Sequence, residues 1–523
     1  YYGYDYLGNR YTSQPSFNDF LTKKENGNYT RPIAAFQPIY TAGYIQDKFA
    51  IEDLIFNIGL RIDRYDANQL VLKDKYLLYD TYTANTTKAR NLGSLSQFGE
   101  DYYVYVDDIE NPSSIVGYRN EDNWYDATGA EISNPDILIN AAGGKIAPLV
   151  KDPTAAVNGD LSTAAFKDYD PQTIIMPRIA FSFPISDEAQ FFAHYDVLTQ
   201  RPPQRSRFSP TQYYFLEQNI GGLLNNPDLK PEKTVDYEIG FAQTLSLKSA
   251  LTISLFYKEL RDMIQVMNLP GAYPGRYLTM QNLDFGTVKG LSVAFDLRRT
   301  NNISMTANYT LQFADGSGSS ATSGYSLANT EQPNLRTTTP LSFDQRHTIS
   351  LAVDFHYGAG KDYNGPVIFG KKILQRAGFN AIISAGSGTP FSKQSNITQE
   401  AAFGINDRST LEGTLYGSRL PWQSRVSTKI NKEFEIKWND KKSSHVNVYL
   451  QVQNLFNAKN IISVYRATGN PDDDGYLTAS ASQNEINTKN NPASFVDLYR
   501  IKVNNPSNYS LPRMMNLGLT ISF

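Results

Sequence analysis

The chain has 523 residues, with 35 Tyr, 28 Phe and 35 Gly, a formal net charge of -3 and a mean hydropathy of -0.42. Near-neutral charge leaves no basic stripe for nucleic acid, and a Cys count of 0 removes disulfides, thiol catalysis and thiolate metal sites together. There is no apolar run of about 18 residues, so no helix can cross a bilayer; what remains is a chain rich in strand-forming aromatics yet polar on average.

Residues 1–37 open with YYGYDYLGNRY and several turn residues, and read as the end of a long loop. A first strand is expected over 38–51, followed by LIFNIGLRID at 54–63. Further on come RIAFSF (178–183), QFFAHYD (190–196), TVDYEIGFAQTL (234–245) and LTISLFYK (251–258). LSVAFDLR (291–298), NISMTANYTL (302–311), TISLAVDFHY (348–357), the stretches 376–387 and 422–437, VNVYLQVQ (446–453) and the C-terminal LPRMMNLGLTISF complete the series. In NISMTANYTL the apolar Ile303, Met305, Ala307, Tyr309 and Leu311 share one face and polar residues fill the other. That period of two marks a strand with one wet and one apolar face. About thirteen such strands are expected.

Connections separate two architectures that share this alternation. Short links at 51–53, 184–189, 246–250, 299–302 and 438–444 alternate with long ones at 67–173, 198–233, 261–285, 312–345, 388–420 and roughly 460–510, with a medium link at 358–371. A soluble sandwich has no reason to sort loop length by side. An outer-membrane barrel does, with short periplasmic turns and long extracellular loops. The predicted fold class is therefore an all-β transmembrane antiparallel barrel, whose apolar face meets lipid and whose polar face lines the lumen. Trp422 and Trp438 share the parity of Val426, Ile430 and Phe434 and fit the two interfacial aromatic girdles. Counting back from a periplasmic C-terminus, the chain enters its first strand from outside. Single-chain bacterial barrels have an even strand number, so strands preceding Tyr1 are expected.

Several stretches then resemble TonB-dependent outer-membrane receptors. NNPDLKPEKTVDYEIGF (225–241) is similar to the family's loop leading down into a barrel strand, and GYIQDKFAIEDLIFNIGLRIDRYD (43–66) and PRIAFSFPISDEAQFFAHYDVLTQRP (177–202) are similar to its hairpins. LSFDQRHTIS (341–350), SAGSGTPFS (384–392) and VQNLFNAKNI (452–461) agree. SRLPWQSRVSTKI (418–430) and YRATGNPDDDGYL (465–477) resemble the Bacteroidota branch, near Oar-like proteins with a carboxypeptidase-regulatory-like N-terminal domain. The resemblance implies that 38–523 is the C-terminal part of a barrel of roughly 22 strands, with the plug, the TonB box and the earlier strands upstream. It implies an energised importer in the outer membrane, working with the TonB system and open to a surface lipoprotein or other outer-membrane partners. It also implies that the strand ending on Phe523 is the assembly signal. A different reading is an accessory or scaffold barrel in a larger surface complex, and a third is a complete passive channel with one more strand within 1–37.

Candidate binding residues lie in the long loops. Arg201, Arg205, Arg207, Tyr213 and Tyr214 come from QRPPQRSRFSPTQYYF (200–215), and Tyr102, Tyr103 and Trp124 from the aromatic clusters of the 67–173 loop. Exposed aromatics and arginines suit recognition of a solute or partner; alternatively they fold so long a loop upon itself. In the last loop, Asn470, Asp472 and Asp474 followed by Gly475 have the spacing of the first half of a calcium loop, but its twelfth position is Ala481, so the bidentate Glu is absent. A calcium ion completed from elsewhere, or a solvated acidic turn, both fit. Lumenal charges are expected to come in pairs, Arg61 and Asp63, Asp236 and Glu238, Asp296 and Arg298, Asp354 and His356, which could hold a plug or guide a solute, or simply belong to a water-lined wall. No catalytic constellation emerges: GxSxG, HExxH and phosphate loops are absent, and His194, His347, His356 and His445 are not spaced as metal pairs.

Overall fold

The computed structural model describes residues 2–141, 144–202, 205–218, 222–330, 336–405, 409–439 and 442–523. Thirteen antiparallel strands follow one another as nearest neighbours in a single meander. They are β1 (Ile39–Ile51), β2 (Leu54–Asp66), β3 (Gln172–Ser186), β4 (Ala189–Gln200), β5 (Glu232–Ser246), β6 (Ser249–Leu269) and β7 (Tyr277–Thr300), then β8 (Ile303–Gly316), β9 (His347–His356), β10 (Ala377–Gly386), β11 (Gln423–Asn439), β12 (Lys442–Gln453) and β13 (Met514–Ser522). Among the described residues β1 and β13 pair on one side only. The expected turn at 438–444 falls partly on 440 and 441, outside the described residues.

Register carries the two-faced pattern from strand to strand. Tyr195 lies opposite Tyr237, and Ala193 opposite Ile239; Ile239 in turn faces Leu255, and Tyr237 faces Tyr257. Tyr237, Ile239, Leu255 and Tyr257 stay exposed, as do Ile58, Leu60 and Ile62 on β2 and Met515, Leu517, Leu519 and Ile521 on β13. An apolar belt of this size does not face water in a soluble monomer; it is the lipid-facing side of the wall. Phe523, 97% exposed, continues its parity. Deleting Phe523 is expected to lower the heat-modifiable, folded fraction of the protein in outer membranes. Undiminished assembly of that variant would count against the expectation that Phe523 acts as an assembly signal.

The lumenal charges find most of their partners on neighbouring strands. Arg61 does meet Asp63 along β2, at 2.8 Å. Asp236, however, takes Lys258 of β6 at 2.6 Å, and Glu238 takes His194 of β4 at 3.5 Å; both partners sit directly opposite in register. Asp296 accepts from the Thr306 hydroxyl at 3.0 Å, and Asp354 pairs with Arg299. The reason is geometric. Opposed side chains on neighbouring strands stand about 5 Å apart, whereas alternate residues along one strand are separated by about 7 Å.

Candidate functional site

Two strands of the wall do not stop at the membrane. β6 has 21 residues and β7 has 24, about twice what a tilted strand needs to span, so the hairpin continues outward as a mast. Register shifts between Leu260 and Ile264 mark where it leaves the wall. Gln265, Val266, Leu269 and Met280 are each 2% exposed or less. Adjacent residues of a strand point to opposite faces, so burial of both Gln265 and Val266 means that both faces of the mast are covered.

The cover is built from separate loops. On one side Leu269 and Tyr277 join Phe17 and Phe20, then Tyr76, Tyr105 and Trp124, then Phe166, Tyr213 and Leu224, in one buried cluster. On the other, Ile264, Val266, Leu278 and Met280 pack against Leu229 and Ala328. The 67–171 loop contributes a small sheet of its own, Tyr103–Val106, Ile115–Asn120, Asn123–Asp126, Glu131–Ile132 and Ala147–Pro148. At the mast tip Gly271 lies against the Trp124 indole, so closely that a Cβ there would collide with the ring. Together these segments form an extracellular cap.

At the centre of the cap is Arg119, whose side chain is fully buried. It donates to the Tyr105 hydroxyl (2.9 Å), the Glu121 carbonyl (2.7 Å) and Asp74 Oδ1 (2.7 Å). The rings of Tyr76, Tyr103 and Trp124 surround the guanidinium, with centroids 4.5, 5.0 and 5.6 Å away. Burial alone would lower its pKa; the Tyr105 oxygen and the Asp74 carboxylate outweigh that and hold it charged. Burial likewise pushes the Tyr105 hydroxyl up to about 12, so it stays a neutral acceptor. Nothing in the local sequence marks Arg119, because Asp74 and Tyr105 reach it from distant points of the chain.

Beside this hub lies a polar cavity of about 470 Å³. Lys73, Lys75 and Arg119 enter it from the long loop, Asp228 and Lys230 from the segment before β5, and Asp262, Gln281 and Asn282 from the mast. Part of the lining is locked. Lys75 Nζ bridges Asp122 (2.8 Å) and Gln281 Oε1 (3.1 Å), and Asn282 Nδ2 donates to the carbonyls of Lys230 (2.9 Å) and Asp262 (2.7 Å). Among the described residues Lys73, Lys230, Asp228 and Asp262 enter no ion pair. The surrounding protein, by withdrawing water, raises the Asp228 carboxyl above its ordinary value, against the pull of Lys167 and Lys230. Charges of both signs beside amide groups suit a polar solute with several hydrogen-bonding functions, and offer little to an apolar one.

Of the residues singled out from sequence, Tyr213 lines this cavity and is 4% exposed. Trp124 is also buried, meeting Tyr76 edge-on and Tyr105 at a tilt. Tyr103 packs over Arg119, and Tyr102 stacks on Phe98 at 4.3 Å in a second cluster. These rings fold the cap. Tyr214 is 38% exposed and receives a hydrogen bond from Arg31 at 3.0 Å. Arg201 lies over the Tyr40 ring at 4.8 Å, Arg207 over Tyr2 at 4.5 Å, and Arg205 donates to the Leu223 carbonyl at 3.1 Å. Arg201 and Arg207 thus tie the loop to neighbouring segments, while Arg205 braces the loop against itself.

The last loop, 454–513, has its own core of Tyr465, Tyr476, Ile486, Tyr499 and Val503, between the helices Ser480–Asn487 and Pro492–Val503. Asp474, 1% exposed, accepts from the Tyr499 hydroxyl (2.5 Å) and the Ala401 amide (3.1 Å). Asp472 accepts from the Tyr509 hydroxyl at 2.5 Å, and the Asn470 side chain from the Asp472 amide at 2.9 Å. Each of the three thus receives a donor of the chain. Among the described residues no group of three or more His, Cys, Asp or Glu is placed to share a metal ion.

A meander of two-faced strands with an apolar belt and a loop cap on one side defines an outer-membrane β-barrel. The chain matches the family model described as TonB dependent receptor-like, beta-barrel, over residues 1–455, and belongs to that family. It is an integral outer-membrane protein of that receptor family. Similar solved structures include the FrpB iron transporter from Neisseria meningitidis (F3-3 variant), at 10% identity and a TM-score of 0.39 over 81% of this chain and 42% of that one. The ferric-catecholate import receptor Fiu from K12 E. coli is 12% identical, with a TM-score of 0.38 over 85% and 46%. The ferric citrate transporter FecA in its unliganded form is 11% identical, with a TM-score of 0.39 over 83% and 42%. The chain therefore spans less than half the length of these relatives. No curated protein sequence matches it.

Proposed function

We propose that this chain is the greater part of the barrel of a TonB-dependent importer, and that its extracellular cap receives a polar solute. The observation that carries the reading is the cavity between the Arg119 hub and the mast, with Lys73, Lys230, Asp228 and Asp262 left without ion pairs among the described residues. All four residues are solvent-exposed, so their charges stay available to a solute bound in the cavity. The open edges of β1 and β13, which lipid does not tolerate, support further strands completing the wall. A plug coupled to the TonB system would then gate the lumen beneath the cap.

The test begins with pools of oligosaccharides and oligopeptides offered to the purified protein, retained species being read by native mass spectrometry. Replacing Asp228 and Lys230 together by alanine is expected to weaken a retained solute by roughly tenfold or more, the scale of losing charge-assisted hydrogen bonds. In cells, the full-length protein without its TonB box should bind that solute and fail to accumulate it. Undiminished binding by the double variant would remove the cavity from the reading. Uptake that ignores the TonB box would favour a passive channel, and a stable stoichiometric protein partner without uptake would favour a scaffold barrel.

A further inference from the structure

Most periplasmic turns are short, and those at the β1–β2 and β3–β4 ends are acidic, Glu52–Asp53 and Asp187–Glu188. The link between β9 and β10 is different. Within it the Ile368 amide donates to the Lys371 carbonyl at 3.1 Å and the Lys371 amide returns to Ile368 at 3.0 Å, closing a tip on Phe369 and Gly370. Both have positive φ, 51° and 73°. Such a tip is readily filled by Asn-Gly and strained by a bulky aromatic. Phe369 is nevertheless 98% exposed, and Val367, Ile368 and Ile373 are exposed around it. Strained backbone and a ring in water are two costs that nothing among the described residues offsets. A compensating contact therefore lies outside them.

The position of the tip names that contact. Its root, Tyr363, meets Tyr357 at 5.7 Å, and Tyr357 meets Phe355 at 4.9 Å. Phe355 stands opposite Ile303 and Phe379, members of the lipid-facing series. Lys432, which shares the outward parity of Ile430 and Phe434, donates to the Gln375 carbonyl at the base of the same link. The tip is thus continuous with the lipid-facing wall at its periplasmic rim; Lys371 places positive charge directly beside its apolar residues, and Lys372, whose Nζ donates to the Gly360 carbonyl at 2.7 Å, adds a second charge at the base of the tip.

We propose that the link between β9 and β10 is an interfacial foot: Phe369, Val367 and Ile368 enter the acyl–headgroup boundary of the periplasmic leaflet, while Lys371 and Lys372 hold the phosphates of anionic phospholipids. It fixes the height of this sector of the wall in the bilayer, in contrast to the acidic turns of β1–β4, which stay in water.

The absence of cysteine makes the test direct. Phe369→Cys and, as the aqueous reference, Asp187→Cys are spin-labelled and the protein is reconstituted in phosphatidylcholine vesicles with and without phosphatidylglycerol. The label at 369 is expected to be relaxed by oxygen and shielded from a water-soluble nickel chelate, and the label at 187 the reverse. Lys371→Glu with Lys372→Glu should raise chelate access at 369 by about fivefold or more, in the phosphatidylglycerol vesicles only. Should Phe369→Cys assemble poorly, Val367→Cys, at a side chain 57% exposed, gives the same readout. Equal chelate access at the tip and at 187 in both lipids overturns the proposal. Protection that arises only on adding periplasmic extract overturns it in favour of a protein partner.

Discussion

Replacing Arg119 by alanine is expected to open the extracellular cap while leaving the barrel wall intact. The variant strands the Asp74 carboxylate opposite Tyr105 and removes the cation on which Tyr76, Tyr103 and Trp124 converge. Breaking one side of a buried ion pair costs about 3–5 kcal/mol, comparable with the whole stability of a small domain. Hydrogen exchange should rise across 67–171 and at the mast tip, and stay unchanged in β2 to β5. The double variant Arg119→Met with Asp74→Leu should recover much of the protection, because neither charge is then left unpaired. If the single variant exchanges like the parent, Arg119 is not the hub.

The second large effect tests the two faces of the wall. Ile430, 54% exposed, lies mid-strand in β11, opposite Phe379 and Leu450, whereas its neighbour Asn431 points to the lumen and donates to Asn447 at 3.4 Å. Ile430→Arg is expected to destabilise the folded barrel by about 2–4 kcal/mol, the cost of arginine on the lipid face near the bilayer midplane. Asn431→Arg, one residue away, should be close to neutral. Urea unfolding in lipid vesicles compares the two. Equal losses would mean that the apolar series does not face lipid.

The wall was legible because its rule is local. Ile303 to Leu311 announce a strand, its faces and its lipid side without knowledge of any partner, and the short links fix the order. Legibility failed where a second layer covers the chain. The alternation ends β6 near Lys258 and begins β7 near Leu291, yet they pair as far as Leu269 and Tyr277. From Ile264 onward both faces are covered, so DMIQVMNL loses its alternation and no longer reads as a strand. The cap aromatics were visible as a composition but not as a core, since Trp124 and Tyr213 owe their burial to loops far away in sequence. Lumenal ion pairs follow register, which single strands do not reveal. The foot was invisible for a simpler reason: a medium-length link with scattered apolar residues has no period, and only the positive φ of Phe369 shows that something is unusual there.

The way the cap is assembled also constrains how such a receptor can change its ligand. Its main core draws on the segment before β1, the 67–171 loop, the 201–231 loop and the tip of the mast. Transplanting one of these loops onto another barrel would carry a quarter of an interior and leave its apolar side bare. Variation by recombination should therefore exchange the head as a block, through breakpoints in the wall strands, while piecemeal mutation stays confined to the cavity-facing side chains that no other loop leans on.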